Sequence, residues 1–99
     1  MRIFAKKTLK SFYDKPENKD SQSQLDSWHD VVKTANWKTP ADIKNQFRNA
    51  SFVSNNRVIF NICGNKYRLV VKVEYAFKHV YIRFIGTHKE YDKIDVSII

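Results

Sequence analysis

The residues that usually cross-link or interrupt a chain are scarce in this 99-residue sequence. It contains one cysteine, two glycines and two prolines, so no internal disulfide can form. No segment approaches the roughly 20 apolar residues of a membrane span, and the apolar run at the N-terminus is too short for a signal peptide. We therefore expect one cytoplasmic domain over residues 1–99 that does not associate with a membrane.

Recognisable cofactor and metal motifs are also missing. There is no glycine-rich phosphate loop, and the three histidines are scattered relative to the single cysteine. His88, Glu90 and Asp92 alternate and form a conceivable metal trio, but several fixed positive charges nearby disfavour a cation there. The sequence predicts a protein without a metal or other cofactor.

Positive charge is abundant. Lysine and arginine total 18 against 10 acidic residues, which gives a formal net charge of +8 and a pI near 9.7. This balance favours anionic partners, nucleic acid first. The plainer alternative is a basic domain that has no polyanionic ligand.

Hydrophobic periodicity in the first half of the chain predicts a short strand and three helices. Arg2–Lys6 fits an edge strand. One helix is predicted after Thr8 and a second after Ser21 or Ser23, separated by a polar break at residues 15–20. A third begins at Thr39-Pro40, a cap followed by proline at the first helical position. The residues expected to face the core are Leu9, Phe12, Tyr13, Leu25, Trp28, Val31, Val32, Ile43 and Phe47.

After Asn49 the period of the pattern changes to two, which indicates strands. Three are predicted, at residues 57–62, 66–75 and 79–86, with Phe84 facing inward and Ile85 outward in the last. The helices would cover one face of this small, mostly antiparallel sheet, so the fold class is α+β. The polar side chains expected on the uncovered face are Asn61, Arg68, Lys72, Tyr81 and Arg83.

The candidate catalytic residues lie along the last two strands and just after them. Arg68 and Arg83 carry guanidinium forks that match phosphate oxygens, and two on one face would clamp a scissile phosphate. His88 is a candidate for proton transfer, because the ordinary pKa of histidine, about 6.5, lies near neutral pH. Lys89 would stabilise charge on the phosphorane, and Tyr91 would position substrate. Each of them, taken alone, has the plainer interpretation of a solvated surface residue.

A metal-free basic site of this kind suits RNA cleavage in particular. RNA supplies its own nucleophile, the 2′-hydroxyl, so an enzyme need only deprotonate it, align it and stabilise the added negative charge. DNA lacks that hydroxyl and would not be cut in this way. The residues expected to bind the RNA are Arg57, Asn61, Lys66, Lys72 and Tyr81.

Two segments carry a resemblance to a known family. Residues 58–70, VIFNICGNKYRLV, and residues 82–92, IRFIGTHKEYD, resemble the HigB toxins of the RelE/ParE superfamily of bacterial toxin–antitoxin systems. The similarity covers essentially the whole chain and implies a RelE-like fold. Arg68 matches the arginine that follows a tyrosine in the central strand of RelE-like toxins. His88 and Lys89 fall where such toxins carry basic residues, and Tyr91 lies near their C-terminal tyrosine.

The resemblance also implies an activity and partners. A HigB-type protein is an mRNA interferase that cleaves translated messages in the A site of the 30S ribosomal subunit, and a cognate HigA-type antitoxin neutralises it. Two alternatives remain open. One is a non-enzymatic, ParE-like inhibitor of a protein target such as gyrase, and the other is an RNA-binding module without catalysis.

Overall fold

A computed structural model describes all 99 residues of the protein. It contains a five-stranded sheet, four α-helices and one 3-10 helix. In chain order these are β1 (Arg2–Phe4), α1 (Lys6–Tyr13), the 3-10 helix (Pro16–Ser21), α2 (Gln22–Thr34), α3 (Pro40–Gln46), β2 (Ser51–Val53), β3 (Arg57–Ile62), β4 (Tyr67–Glu74), β5 (His79–Thr87) and α4 (His88–Tyr91). The predicted α+β class is confirmed.

The sheet is antiparallel except at one edge. Its strand order is β1-β5-β4-β3-β2, and only β1 pairs in parallel with its neighbour, β5. The predicted edge strand at the N-terminus and the three later strands are confirmed to within a residue or two. The short edge strand β2 was not predicted, because three exposed residues are too few to show a period.

The core lies between one face of the sheet and the helices. Leu25 and Trp28 of α2 and Ile43 of α3 are buried against apolar side chains of β3, β4 and β5, as the periodicity predicted. Trp37, between α2 and α3, is also buried, and its indole N–H donates to Gln46 Oε1 at 2.7 Å. No helix combines the length and apolarity that crossing a bilayer requires.

The predicted starts of the helices need two corrections. The first helix begins at Lys6 rather than after Thr8, and Ala5 before it has a left-handed backbone with φ of 71°. The polar segment does separate the first two helices as predicted, but it forms a 3-10 helix, because Pro16 occupies its first turn and Ser21 Oγ donates to the carbonyl of Asn18 at 2.7 Å. The start of α3 is confirmed: Asp42 accepts hydrogen bonds from the main-chain N–H groups of Lys38 and Thr39.

A bulge in β5 changes which side chains face the core. Val71 pairs with Ile82 and Val70 pairs with Phe84, so Arg83 is one extra residue on β5. Beyond the bulge the alternation is reversed relative to the prediction. Ile85 packs against the core, whereas Phe84 pairs with a residue of the opposite face, so the predicted orientations of both were wrong.

Asp20 joins the 3-10 helix to the start of β4. Its carboxylate accepts a hydrogen bond from Lys66 Nζ at 2.5 Å and another from the Tyr67 hydroxyl at 2.7 Å. These two donors, Lys66 first, lower the pKa of Asp20 below its ordinary value. A carboxyl whose pKa is lowered by folding stabilises the protein above its unfolded pKa, and that stabilisation is lost as pH falls through the folded pKa.

We therefore predict that Asp20→Asn removes part of the acid-induced loss of stability. Urea-unfolding midpoints should fall less between pH 6 and pH 2.5 in this variant than in the wild type, because an amide does not titrate. Asp30→Asn is the matched control, since the Asp30 side chain is 84% exposed. Identical pH profiles for all three proteins would contradict the prediction.

Candidate active site

The sheet face opposite the helices is partly covered, contrary to the expectation of an open surface. Ile59 and Val70 lie on this face, yet they are only 6% and 0% exposed. The C-terminal residues 92–99 leave α4 beside β4 and β5 and reach the first residues of β3. There Asn55 Nδ2 donates to the Ser97 carbonyl at 3.0 Å. The C-terminal residues therefore lie against the start of β3, on the side of the sheet that was expected to be open.

Arg68 lies at the end of this face, where β3, β4 and β5 are adjacent. It pairs with Asn61 on one side and with Gly86 on the other. Its Nη1 donates to the carbonyl of Asn65 at 3.2 Å, and its Cζ lies 5.8 Å from the centre of the Tyr91 ring. One hydrogen bond and one aromatic contact leave most of the five guanidinium N–H donors available. Arg68 is therefore well suited to bind a phosphate.

Gly86 makes room for this arrangement. A Cβ at this position would lie 2.6 Å from Cζ of Phe84, so the ring occupies the space above the glycine. The Phe84 ring centre is in turn 6.4 Å from that of Tyr91. Gly86 was not among the predicted site residues. Its signal in the sequence was a glycine inside a strand pattern, which marks the close approach of another group.

Helix α4, which carries His88 and Tyr91, begins with a capping box. Thr87 N–H donates to Glu90 Oε1 at 2.9 Å, and Glu90 N–H donates to Thr87 Oγ1 at 3.2 Å. This capping box lowers the pKa of Glu90 through the Thr87 N–H and starts the helix at His88. The Thr-x-x-Glu spacing is a sequence signal for the start of this helix. It was missed because residues 88–92 were interpreted as alternating.

The spacing of residues along α4 decides which side chains lie next to His88. Residues three and four positions apart share one side of a helix, so Tyr91 and Asp92 lie on the same side of α4 as His88. His88 Nδ1 is 3.2 Å from Asp92 Oδ2. With Nδ1 close to the carboxylate, Nε2 is left to exchange a proton with a ligand. Glu90 points to Thr87 instead, so the conceivable metal trio does not converge.

Arg83 and Lys89 lie outside the contacts that join this cluster. The bulge places Arg83 two to three residues along β4 from the position opposite Arg68. Its Cζ lies 5.3 Å from the centre of the Tyr81 ring, which stacks on Phe4 at 4.9 Å. Lys89 is exposed and makes no recorded side-chain contact. The structure thus brings together Arg68, Tyr91, His88 and Asp92, with Arg83 beside a separate aromatic group.

Three of the predicted RNA-binding cations already have partners in the protein. Lys66 bonds to Asp20, and Lys72 Nζ is 3.1 Å from Glu74 Oε1. Arg57 is only 9% exposed, and its guanidinium donates to the main-chain oxygens of Asn55 and Ile99 at 2.8 and 2.6 Å. Arg57 was predicted to bind the RNA backbone, but its guanidinium is held by main-chain oxygens of the protein and has little access to solvent. Tyr81 is half-buried and Asn61 exposed.

Comparison with known proteins identifies relatives along most of the chain. The profile of a family described as HigB_toxin, RelE-like toxic component of a toxin-antitoxin system, matches residues 21–94. The mRNA interferase toxin HigB of Escherichia coli strain K12 is 30% identical over 95 residues, which cover 93% of this chain and 88% of that protein. The mRNA interferase HigB of Shigella flexneri matches with the same values. That of Escherichia coli O6:H1 is 28% identical over 72 residues, 71% of this chain and 70% of that protein.

The contacts of Arg57 predict a structural effect when it is replaced. Arg57→Ala should lower the free energy of unfolding by about 1–3 kcal/mol, because it removes the side-chain donor to Ile99 and exposes packed surface. Denaturant unfolding measures this loss. The salt dependence of RNA binding should stay the same in the folded variant, since the buried guanidinium is not a phosphate contact. An unchanged stability together with a shallower salt slope would restore the original RNA-binding interpretation.

Proposed function

The chain belongs to the HigB toxin family, the RelE-like toxic components of toxin–antitoxin systems, and we propose that it is an endoribonuclease that cleaves mRNA without a metal ion. The relatives named as mRNA interferases support the activity and the substrate. The observation that carries the assignment of the site is the meeting of Arg68, Tyr91 and the His88–Asp92 pair at one end of the sheet.

The reaction needs only groups that this site offers. The 2′-oxygen of a ribose attacks the adjacent phosphorus in line with the 5′-oxygen of the next nucleotide. The bond from phosphorus to that 5′-oxygen breaks, which gives a 2′,3′-cyclic phosphate and a 5′-hydroxyl end. The protein must accept the proton of the 2′-hydroxyl, stabilise the extra negative charge on the phosphoryl oxygens and hold the reacting atoms in line.

Arg68 is proposed to bind the phosphoryl oxygens. A guanidinium stays protonated and donates two parallel hydrogen bonds to oxygens of one phosphate, and these bonds strengthen as charge develops. Its carbonyl contact with Asn65 and the Tyr91 ring hold the fork at the end of the sheet. Tyr91 is proposed to position the substrate nucleotide beside it. Arg83, next to Tyr81, is proposed to bind an adjoining phosphate rather than the scissile one.

His88 is proposed to accept the proton of the 2′-hydroxyl at Nε2. Asp92 supports this role, because a carboxylate 3.2 Å from Nδ1 stabilises the imidazolium that forms. The leaving 5′-oxygen takes a proton from solvent. Lys89 is exposed beside His88 in the sequence and adds positive charge near the phosphate.

The partners follow from the family and the proposed chemistry. A toxin of a toxin–antitoxin system has a cognate antitoxin, which we propose is of the HigA type, and its substrate is mRNA. We further propose that the message is cut while it occupies the A site of the 30S subunit. The net charge of +8 supports binding to an RNA-rich surface.

We predict that Arg68→Ala and His88→Ala each lower the rate of cleavage by about 10²- to 10⁴-fold, because each removes a group that acts in the transition state. Primer extension on a message translated with and without toxin induction measures the cuts. Arg2→Ala is the charge-matched control, since Arg2 lies on β1 at the far edge of the sheet. Wild-type cleavage by both site variants would remove these residues from the mechanism.

The same experiment separates the alternatives. A ParE-like inhibitor of a protein target would remain toxic as His88→Ala and would generate no RNA fragments. A non-catalytic RNA-binding protein would retain salt-dependent binding and yield no product. Cuts that depend on translation would support the ribosomal A site as the place of cleavage.

We also predict that cleavage requires the 2′-hydroxyl. Replacing the ribose on the 5′ side of a mapped cleavage site with deoxyribose should abolish that cut and leave other sites intact, because the nucleophile is lost. Gel analysis of the end-labelled message after incubation with the toxin and ribosomes measures this effect, and the product should carry a 2′,3′-cyclic phosphate. Cleavage next to the deoxyribose would show that water, not the 2′-oxygen, attacks.

A further inference from the structure

A cavity of about 250 Å³ opens beside β3, on the flank of the sheet away from β4. Strand β2 pairs with β3 only as far as Ile59, so residues 60–62 have no strand neighbour on that side. Helix α2 and the segment after α3 form the other walls. The lining residues are Gln24, Ser27, Trp28, Phe47, Arg48, Asn49, Ala50, Phe60, Asn61 and Ile62.

The inner wall of the cavity is aromatic. Trp28 and Phe60 are buried and contact each other edge to face at 5.5 Å, and Phe47 contacts Phe60 at 5.0 Å. Phe47 is only partly buried, so part of its surface faces the cavity. A wall of this kind favours a flat, unsaturated ring as its ligand, because aromatic side chains stack on the faces of nucleobases.

The mouth of the cavity carries hydrogen-bonding groups that have no partner within the protein. The side chains of Asn49, Asn61 and Ser27 make no recorded hydrogen bond. Gln24 is oriented, because its Oε1 accepts the N–H of Cys63 at 2.9 Å, which leaves its amide donors available. Side-chain amides with both donors and acceptors match the edges of a nucleobase.

The positive charge at the mouth of the cavity favours a negatively charged ligand such as RNA. Arg48 is exposed at the mouth and makes no recorded ion pair, and none of the ten lining residues is acidic. A guanidinium beside a base-sized cavity is placed to bind the phosphate of the nucleotide whose base enters. The free flank of β3 adds main-chain groups that no strand pairs with.

Asn61 connects the cavity to the proposed phosphate site. It lies on the cavity wall and is also the partner of Arg68 across the β3–β4 pair. Paired residues on neighbouring strands have Cβ atoms roughly 5 Å apart. The residue proposed to hold the phosphate and a residue of the cavity wall are therefore neighbours across the sheet.

We propose that this cavity binds the unpaired base of a nucleotide adjacent to the scissile phosphate and thereby selects where the RNA is cut. The inference rests on the proposed ribonuclease function, since Arg68 must hold the phosphate for the adjoining base to reach the cavity. Phe47 stacks on the base, the amides of Asn49 and Asn61 bond to its edge, and Arg48 binds the neighbouring phosphate.

Binding is tested with the four nucleoside 3′-monophosphates and with inorganic phosphate as the probe without a base. In ¹H–¹⁵N spectra of the uniformly labelled protein, one nucleotide should shift the side-chain amides of Asn49, Asn61 and Gln24 and the indole of Trp28. Inorganic phosphate should leave these signals in place. Equal shifts from all four nucleotides and from phosphate would mean that the cavity reads no base, and the proposal would fail.

Selection is tested with Asn49→Ala, with Asn45→Ala on α3 as the matched control. Asn49→Ala should weaken binding of the preferred nucleotide by about tenfold, as expected for loss of hydrogen bonds to one base. It should also change which base occurs at mapped cut sites. Asn45→Ala should leave the affinity and the pattern of cut sites at wild-type values. An unchanged pattern and affinity in folded Asn49→Ala would overturn the assignment.

The outcomes separate this inference from the proposed function. If the wild type cuts no RNA, the function fails, while the nucleotide titration still reports on the cavity. If the wild type cuts RNA but no nucleotide moves the cavity signals, the function stands and the cavity assignment falls. If only the antitoxin shifts those signals and Asn49→Ala weakens its binding, the cavity is a protein-docking site and the proposal is wrong.

Discussion

The candidate site depends on how β4 pairs with β5. Pairing Val71 with Ile82 and Val70 with Phe84 leaves Arg83 as an extra residue, and this shift brings Gly86 opposite Arg68. Because glycine has no side chain, the Phe84 ring can lie above it and approach Tyr91. A continuous ladder without the bulge would exchange the faces of Phe84, Ile85 and Gly86. The same extra residue leaves Arg83 beside Tyr81 and out of contact with the Arg68 group.

Fewer cationic side chains are available to bind a ligand than the net charge of +8 implies. Lys66 is held by Asp20, Lys72 by Glu74, and Arg57 by the main-chain oxygens of Asn55 and Ile99. An exposed pair such as Lys66–Asp20 contributes little stability, and RNA can displace it. Arg57 is different, because its guanidinium is packed beneath the C-terminal residues. The unpaired guanidinium of Arg48 and the lightly engaged one of Arg68 are therefore the better candidates for phosphate contacts.

Short-range signals in the sequence explain why parts of the site form as they do. The Thr87–Glu90 capping box starts α4 directly after β5, and helical spacing then places Asp92 against His88. The C-terminal residues that follow reach Asn55 and Arg57 at the start of β3. The end of the chain therefore contacts Arg57, on the face that alternation alone leaves open. What stays accessible is the end of the sheet where Arg68, Tyr91 and His88 lie, together with the flank beside Asn61.

The sequence by itself determined most of the helices and strands and predicted a chemistry. A period of two located β3, β4 and β5, and a period of 3.6 located the buried faces of α1, α2 and α3, since side-chain direction is set by local geometry. The charge and the Gly-Asn-Lys-Tyr-Arg-Leu and Gly-Thr-His-Lys-Glu-Tyr-Asp segments indicated the family and suggested Arg68 and His88 as candidate catalytic residues. Only the tertiary structure decided the reversal after Arg83, the burial of Arg57 and the cavity beside Asn61. These depend on residues far apart in the chain, whose contacts no local pattern encodes.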